Sequence, residues 1–390
     1  MAIELLSNDP TDFPDRYSWA AAMRDCTQDP VHHAEGDVWT HTLRVLDALE
    51  GLVRQDRHIH AGGVSALRLA ALLHDVGKPA TRREEDGRVS HPHHARTGAR
   101  IARRILWEMG TPFRLREWTL ALVRHHMVPE AALRKDTPDA ERRLRYALEI
   151  ADAELLATLM QADQMGRDAQ DPSGDPAENA DLFRLLVGEY GLGDARPAYG
   201  SAVTRTEYLF NRRDIHPSEV IPTDRWRGTL HLLSGPPAAG KSHLARELQR
   251  TESPARVISL DEIRRRMHIG HEVSQAPIVT AAFDALRDAL GQAETVIWDA
   301  TNLHPARREP VLALAYQYSY RVVAHHVEVA PDVLRERNRN RPYPVPDDAV
   351  DWMLDQWEPP TRAEAHEVRW HVGGEEMEDP FDARIPLRRP

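Results

Sequence analysis

The sequence has almost no cysteine: Cys26 is the single one in 390 residues, so no internal disulfide can form. That suits a reducing compartment, and a cytoplasmic location is the expectation. No apolar run approaches the ~20 residues of a membrane span, so no membrane partner is expected. The N-terminus, MAIELLSNDPTDFPD, lacks a basic segment followed by an apolar stretch and does not read as a signal peptide. A basic excess is missing too. Lys and Arg total 50 against 61 Asp and Glu, for a net charge of −11. This excludes a general polyanion-coating protein but not an enzyme that grips one nucleic-acid end through a local basic patch. There is no internal repeat and no long low-complexity tract.

What is present is length for two or three domains, and a 41% hydrophobic composition from which to build their cores. Residues 1–165 read as all helical. Helix-period patterns fall at Trp39–Val53, Val64–His74, Ala95–Met109, Leu115–His126 and Glu141–Gln164. Gly77 and Pro79 follow an apolar helix as a normal stop. Residues 166–227 lose this regularity and read as a linker or bridging module. DAQDPSGDPAEN is an expected exposed loop. Arg205, Arg212 and Arg213 are expected on a solvated surface, with nucleic-acid contact as the alternative. From 228 to 390, the short β-rich runs TLHLLSG, RVISL, TVIWDA and RVVAHHVEV alternate with helical patterns, which implies a parallel sheet covered by helices. The fold class is therefore multidomain, an all-α domain followed by an α/β domain.

GPPAAGKS (Gly235–Ser242) fits G-x-x-x-x-G-K-[ST] at every fixed position, with a strand before it and a helix after it. In such a loop the backbone amides, here through Gly235, Ala238, Ala239 and Gly240, turn toward a phosphate, and the helix adds its positive end. Lys241 is expected on the β- and γ-phosphates and Ser242 on Mg²⁺. Ser259 and Glu262 have capping-box spacing, which puts Asp261 in a first helical turn at the carboxyl end of a strand. An ionised carboxylate there can orient an attacking hydroxyl and accept its proton. Taken alone, it is equally a plain helix-terminal charge. Arg264, three residues on, shares its face and is suited to an acceptor phosphate. Asp299 ends the third strand in a place that suits the Mg²⁺ shell, and Asn302 reads as a turn residue. Pro331 suits a helix start, and Arg337 and Arg341, four apart, are expected on one helical face where they could neutralise transition-state charge.

GPPAAGKS, LDEIR, WDATNLHPARR and RERNRNRPYPVP, in this order over about residues 228–365, resemble the kinase domain of bacteriophage polynucleotide kinase. The resemblance implies that Asp261 is the general base, that Arg264, Asp299, Asn302, Arg337 and Arg341 fill the family's motif positions, and that ATP or another NTP with Mg²⁺ phosphorylates a 5′-hydroxyl end. Ala300, inserted between Asp299 and Thr301, departs from the family pattern.

The first third carries metal-capable residues on separate predicted helices: His41, the pair His74 and Asp75, His94, the pair His125 and His126, and Asp163. Imidazoles and carboxylates suit Mn, Fe, Co, Ni or Zn. A lone helical histidine is more often packing or surface, so the weight lies in the ordered set. That set, a helix His, then HDVGK, then His94-x-x-x-Gly98, a later His and a helix Asp, resembles the HD phosphohydrolase superfamily over about residues 35–167. LLHDVGKP and LVRHHM are similar to the HD domains of bacterial tRNA nucleotidyltransferases. The resemblance implies one or two divalent transition metals on His41, His74, Asp75, His94, Asp163 and one of His125 and His126, with Lys78 on a substrate phosphate. His91 and His93 are read as bystanders.

Both halves together resemble the bacterial HD-Pnk end-healing architecture. It implies a kinase for 5′-OH ends, a phosphoesterase for 2′,3′-cyclic, 2′- or 3′-phosphate ends, and nucleic acid and an RNA or DNA ligase as partners, with a homodimer left open. The rival readings are an HD nucleotidase fused to a small-molecule kinase, and a non-catalytic NTP-gated binding protein.

Overall fold

The computed structural model describes residues 2–382 apart from 32, 57–58, 135–138, 169–173, 193–195, 223–225, 253 and 271–272. Part of the expected loop DAQDPSGDPAEN lies outside the described residues. The chain divides into two compact units, 1–197 with 380–390, and 198–379. The stretch 166–227, read from sequence as one intervening module, is thus divided: its first part belongs with the first unit and its second part with the second. No helix among the described residues is long and apolar enough to cross a membrane.

Five helices of the first unit carry its site: α1 (Val38–Gln55), α2 (Ala61–Leu73), α3 (His94–Glu108), α4 (Phe113–His125) and α5 (Ala153–Gly166). Asp37 starts α1, its Oδ1 accepting from the Thr40 amide at 2.8 Å. Val38, His41 with Thr42, Val45 and Leu49 then recur every three or four residues and are all buried. The sequence pattern had joined Glu141–Gln164 into one helix. It is two, Ala140–Leu148 and α5, because Asp152 turns out of helical geometry and caps the second through the Leu155 amide at 2.9 Å. The unit is also not purely helical: Arg83–Glu85 and Arg88–Ser90 form an antiparallel hairpin. Asp86 and Gly87 both have positive φ, as a two-residue turn of this kind requires.

The second unit is built on β1 (Thr229–Ser234), α6 (Lys241–Thr251), β2 (Ala255–Ser259), α7 (Leu260–Arg266), α8 (Ala276–Gly291), β3 (Thr295–Asp299), α9 (Pro305–Gln317), β4 (Arg321–Glu328), α10 (Pro331–Arg339), α11 (Asp347–Leu354), β5 (Glu367–Val372) and β6 (Glu375–Met377). The strand order is β2-β3-β1-β4-β5-β6, parallel except for the last pair. Successive side chains leave opposite faces of a strand. Leu230 and Leu232 of β1 therefore pack with α8 and α9, whereas Leu233 packs with Ala245 and Leu248 of α6. The β5–β6 hairpin was not legible as strands, since its register is set by pairing to β4 and by the turn at Gly373 and Gly374, both with positive φ. Arg205, expected on a solvated surface, is 4% exposed. It donates to the carbonyls of Arg362, Ala365 and His366 at 2.7, 3.1 and 2.7 Å, and so fastens residues 202–209 to this unit.

Close backbone approach at Gly77 brings the end of α2 against α3. A Cβ at Gly77 would lie 2.2 Å from the His94 carbonyl oxygen and 2.5 Å from the Gly98 nitrogen. Gly77→Ala should lower the unfolding free energy of the first unit by about 1–3 kcal/mol, seen as a lower chemical-denaturation midpoint. Gly51, within α1 and with nothing near its added Cβ, is the opposite case. Gly51→Ala should raise the midpoint by the equivalent of roughly 0.5–1 kcal/mol.

A candidate metal centre and a candidate kinase site

In the first unit, α1, the end of α2, the start of α3, the end of α4 and the body of α5 each send one or two side chains to a single point. His41 Nε2 lies 2.9 Å from Asp163 Oδ1 and 3.8 Å from Asp75 Oδ2. His74 Nε2 lies 3.2 Å from Asp75 Oδ2 and 3.8 Å from Asp163 Oδ1. On the other side of Asp75, its Oδ1 lies 3.4 Å from His94 Nε2 and 3.9 Å from His126 Nε2. Besides the group of His33, Glu35 and His41, two groups able to hold a cation meet at Asp75: His41 with His74 and Asp163, and Asp75 with His94 and His126. The Asp75 carboxylate has one oxygen turned toward each.

The far nitrogens of the rings fix the tautomers. His74 Nδ1 donates to the Ala71 carbonyl at 2.8 Å, His94 Nδ1 to that of His91 at 2.9 Å, and His126 Nδ1 to that of Val123 at 2.9 Å. A carbonyl oxygen can only accept, so in each neutral ring Nε2 carries a bare lone pair. Two of these, on His94 and His126, face one another at 3.2 Å. Such a pair repels unless a proton or a cation lies between. A proton is disfavoured, because burial, with the charges of His94 and His74 beside it, pushes His126 down to about 3. The donor set therefore fits a divalent metal, with His41, His74 and Asp163 on one side, His94 and His126 on the other, and Asp75 shared.

Charge around the centre is held in place by buried partners. Burial raises the Asp75 carboxyl, but the neighbouring His74 and Lys78 more than offset it and leave it well below the usual carboxylate range. Lys78 Nζ donates to Asp75 Oδ2 at 2.7 Å and to Gln28 Oε1 at 2.6 Å. Asp163 is likewise depressed against the cost of burial by Arg167 and His41. Arg167 pairs with Asp163 Oδ2, and its other nitrogen reaches Glu130 Oε2 at 3.1 Å. His41 is pushed down by burial yet ends above its ordinary value because Asp163 and Glu35 flank it.

The structure separates the two adjacent histidines. His126 joins the centre; His125 does not. His125 is buried beside Tyr146, with ring centroids 6.0 Å apart, and lies outside both ligand groups. A helix turn of about 100° per residue separates the two rings, and at the end of α4 it is His126 that faces Asp75 and His94. Glu35 and Arg167 escaped the sequence reading. Arg167 stands four residues after Asp163 on the same helical face, a pairing the spacing could have revealed. His91 is closer to the centre than a bystander: its carbonyl holds His94, and its Nδ1 donates to the Lys78 carbonyl at 3.1 Å.

In the second unit the phosphate loop leaves β1 at the carboxyl edge of the sheet. The chain cannot carry a side chain at Gly235, where a Cβ would lie 2.1 Å from the Val327 carbonyl oxygen. Ala238 and Gly240 adopt positive φ, which turns the loop's amides inward. Lys241 Nζ donates to the Pro236 carbonyl at 2.8 Å, and Ser242 Oγ donates to Asp299 Oδ2 at 2.8 Å. Lys241 and Asp299 are buried. Burial pulls Lys241 down to about 8, although Asp299 and Asp261 favour its charged form.

Ser259 caps α7 as its spacing implied, accepting from the Glu262 amide at 3.4 Å. Asp261 sits in that first turn with its side chain 59% exposed. It pairs with Arg264, and Arg341 Nη2 lies 3.7 Å from its other oxygen. Arg337 and Arg341 do not share a helical face, because α10 ends at Arg339. They meet the site separately. An added Cβ on Gly240 would lie 3.9 Å from Arg337 Nη1, whereas Arg341 reaches Asp261. The bend between them is set by Asn338, whose amide donates to the Val345 carbonyl at 2.7 Å and accepts from the Val345 amide at 3.1 Å. Asn302 is a structural residue: it has positive φ, and its side chain donates to the Leu233 carbonyl at 2.6 Å.

Residues 38–163 match the HD domain family, and residues 230–360 match the AAA domain family. The chain is 38% identical over 112 residues to the multifunctional CCA protein of Halorhodospira halophila, covering 29% of this chain and 24% of that protein. It is 41% identical over 102 residues to the CC-adding tRNA nucleotidyltransferase of Thermus thermophilus, covering 26% of this chain and 21% of that one. The chain thus spans about a quarter of the length of these curated relatives, and shares with them the HD domain alone. Similar solved structures include Chaetomium thermophilum Kti12 in complex with ADP-AlF3, 20% identical with TM-score 0.30, over 37% of this chain and 88% of that one. A gluconokinase from Sinorhizobium meliloti 1021 is 20% identical with TM-score 0.29, over 39% and 85%. The chain joins an HD domain to a P-loop, kinase-like domain.

Two outcomes follow from this geometry. His126→Gln should lose bound Co²⁺ or Mn²⁺ in equilibrium dialysis, while His125→Gln should retain it. Lys241, whose folded value of about 8 lies below the ordinary 10.5, binds fewer protons folded than unfolded between those limits. Nucleotide-free protein should therefore gain stability from this residue as pH rises from about 8 to 10.5, by an amount on the order of 3 kcal/mol. Denaturation of wild type and Lys241→Met across that range should differ by this gain.

Proposed function

We propose that the chain heals nucleic-acid ends: the second unit transfers the γ-phosphate of an NTP to a 5′-hydroxyl end, and the first hydrolyses 2′,3′-cyclic, 2′- or 3′-phosphate ends. The observation that carries this reading is Asp261, exposed at the carboxyl edge of the sheet between Arg264 and Arg341. The same site holds the buried Lys241 and the Ser242–Asp299 pair of a phosphate loop. A hydroxyl acceptor that already carries a phosphate needs this combination of one carboxylate and nearby guanidinium groups.

In the kinase step the loop amides and Lys241 hold the β- and γ-phosphates, and Ser242 with Asp299 would hold Mg²⁺. Asp261 orients the acceptor hydroxyl and takes its proton. The acceptor oxygen bonds to the γ-phosphorus as the bond to the β-phosphate oxygen breaks, and the NDP leaves. Arg264 binds the acceptor's own phosphate. Arg337, beside the loop, and Arg341 neutralise charge on the transferring group.

For the first unit, His41, His74, Asp75, His94, His126 and Asp163 would hold two divalent transition metals, which supply Lewis-acid charge beside a phosphoryl group. Lys78, poised on Asp75, binds a substrate phosphate oxygen. The named relatives with the same HD domain are a CCA protein and a tRNA nucleotidyltransferase, which supports a nucleic-acid end as substrate. A ligase is the partner that would follow, since cleavage through a 2′-hydroxyl leaves the two end chemistries that both units would repair. The cytoplasm, as a reducing compartment rich in NTP, suits both.

Incubation with Mg²⁺, γ-labelled ATP and a 5′-OH oligonucleotide, beside free nucleosides and sugar acids, tests the reading. Label on the oligonucleotide is expected. Label on a small molecule with none on the oligonucleotide would move both units into nucleotide or small-molecule metabolism. Asp261→Asn should cut the kinase rate by about 10²- to 10⁴-fold and leave phosphoesterase activity unchanged. His74→Ala should abolish release of phosphate from 3′-phosphate ends and spare the kinase.

A further inference from the structure

Behind the metal centre, on the side of α1 away from Asp75, lies a second buried carboxylate. The Glu35 side chain is fully buried, in the short segment that leads into α1. Its Oε1 lies 2.8 Å from His33 Nδ1 and 2.9 Å from His41 Nδ1. In the second contact the oxygen stands off the line of the ring N–H bond, so the interaction is an ion-pair contact rather than a straight hydrogen bond. Its Oε2 accepts from the Asp168 amide at 2.9 Å, and the Ala34 amide donates to the Asp168 carbonyl at 2.8 Å. The carboxylate is thus clamped to the chain five residues beyond Asp163.

His41 differs from the other three inward histidines. Their Nδ1 atoms are held by backbone carbonyls three residues earlier in their own chain segments. Three residues before His41 stands Val38, whose carbonyl already accepts from Thr42 Oγ1 at 2.8 Å. Glu35 stands in that place. It supplies a full negative charge where the others have a carbonyl dipole, which makes the imidazole a more basic donor through its other nitrogen.

We propose that Glu35 is a positioning residue for the metal centre: it holds His41 with the proton on Nδ1 and aims Nε2 at the ion shared with His74 and Asp163. His33, on the same carboxylate oxygen, keeps Glu35 turned toward His41. The inference rests on the reading of the first unit as a metal-dependent centre.

The test compares full-length wild type with Glu35→Gln, which keeps the shape but removes the charge facing His41 and cannot accept from both His33 and the Asp168 amide. Co²⁺ affinity is measured by competition with a chromophoric chelator, with the visible spectrum of the bound ion and the number of ions per chain at saturation. The His41 tautomer is read by long-range ¹H–¹⁵N NMR of the Zn²⁺-loaded protein, and unfolding of metal-free protein by denaturant titration. Expected are a ten- to hundredfold loss of Co²⁺ affinity, altered visible bands, and two ions per chain in wild type. Wild-type His41 should carry its proton on Nδ1.

Wild-type affinity and spectrum in Glu35→Gln would overturn the proposal. So would a lowered unfolding midpoint with an unchanged Co²⁺ spectrum, since Glu35 would then only brace the segment at Asp168. A third ion per chain that disappears in both Glu35→Gln and His33→Ala would make Glu35 a ligand instead and overturn it too. If wild type binds no divalent metal at all, the reading of the centre itself falls. Binding by wild type with equal binding by the variant sinks the Glu35 role alone.

Discussion

The first unit is organised around a carboxylate that has lost its water. Asp75 is 2% exposed and has four imidazoles and an ammonium group around it. A lone ionised carboxylate in that position would be prohibitively costly, and the imidazoles brought by α1, α2, α3 and α4, with Lys78, are what make it tolerable. The helices must therefore come together closely enough to supply those partners. The glycine at position 77 permits the nearest of these approaches, and the facing lone pairs of His94 and His126 fit a shell completed by a cation.

The second unit solves a related problem with backbone instead of side chains. Its phosphate loop gathers amides in place of cationic groups, and the buried cation of that loop, Lys241, is pulled toward neutrality in the absence of an anion. The chain has three lysines, and two of them, Lys78 and Lys241, are buried in the two candidate sites. The cations around Asp261 are the half-buried Arg264 and Arg341, each a planar fork of donors.

Much of this was legible from spacing. The phosphate loop, the capped turn holding Asp261, and the ordered histidines and aspartates each depend on residues close in the chain or on short motifs whose local geometry is fixed by glycine, proline and caps. Other features were not. The choice of His126 over His125 turns on which side of α4 faces α2. The role of Arg205 depends on carbonyls about 160 residues away, and that of Glu35 on a helix it precedes and a loop that follows Asp163. The separate destinations of Arg337 and Arg341 hinge on where α10 ends, which Asn338 decides through its bond to Val345.

The sequence by itself determined the two domain types, the order of their motifs and nearly all the histidines and aspartates that turn inward, because periodicity, capping and turn chemistry act over a few residues. Tertiary structure alone decided which of these side chains share a point and which buried groups stand behind them. His41 and Asp163 are 122 residues apart in the chain and 2.9 Å apart in space. No local rule spans that separation; only the packing of α1 on α5, down to the contact of Gly166 with Val45, closes it.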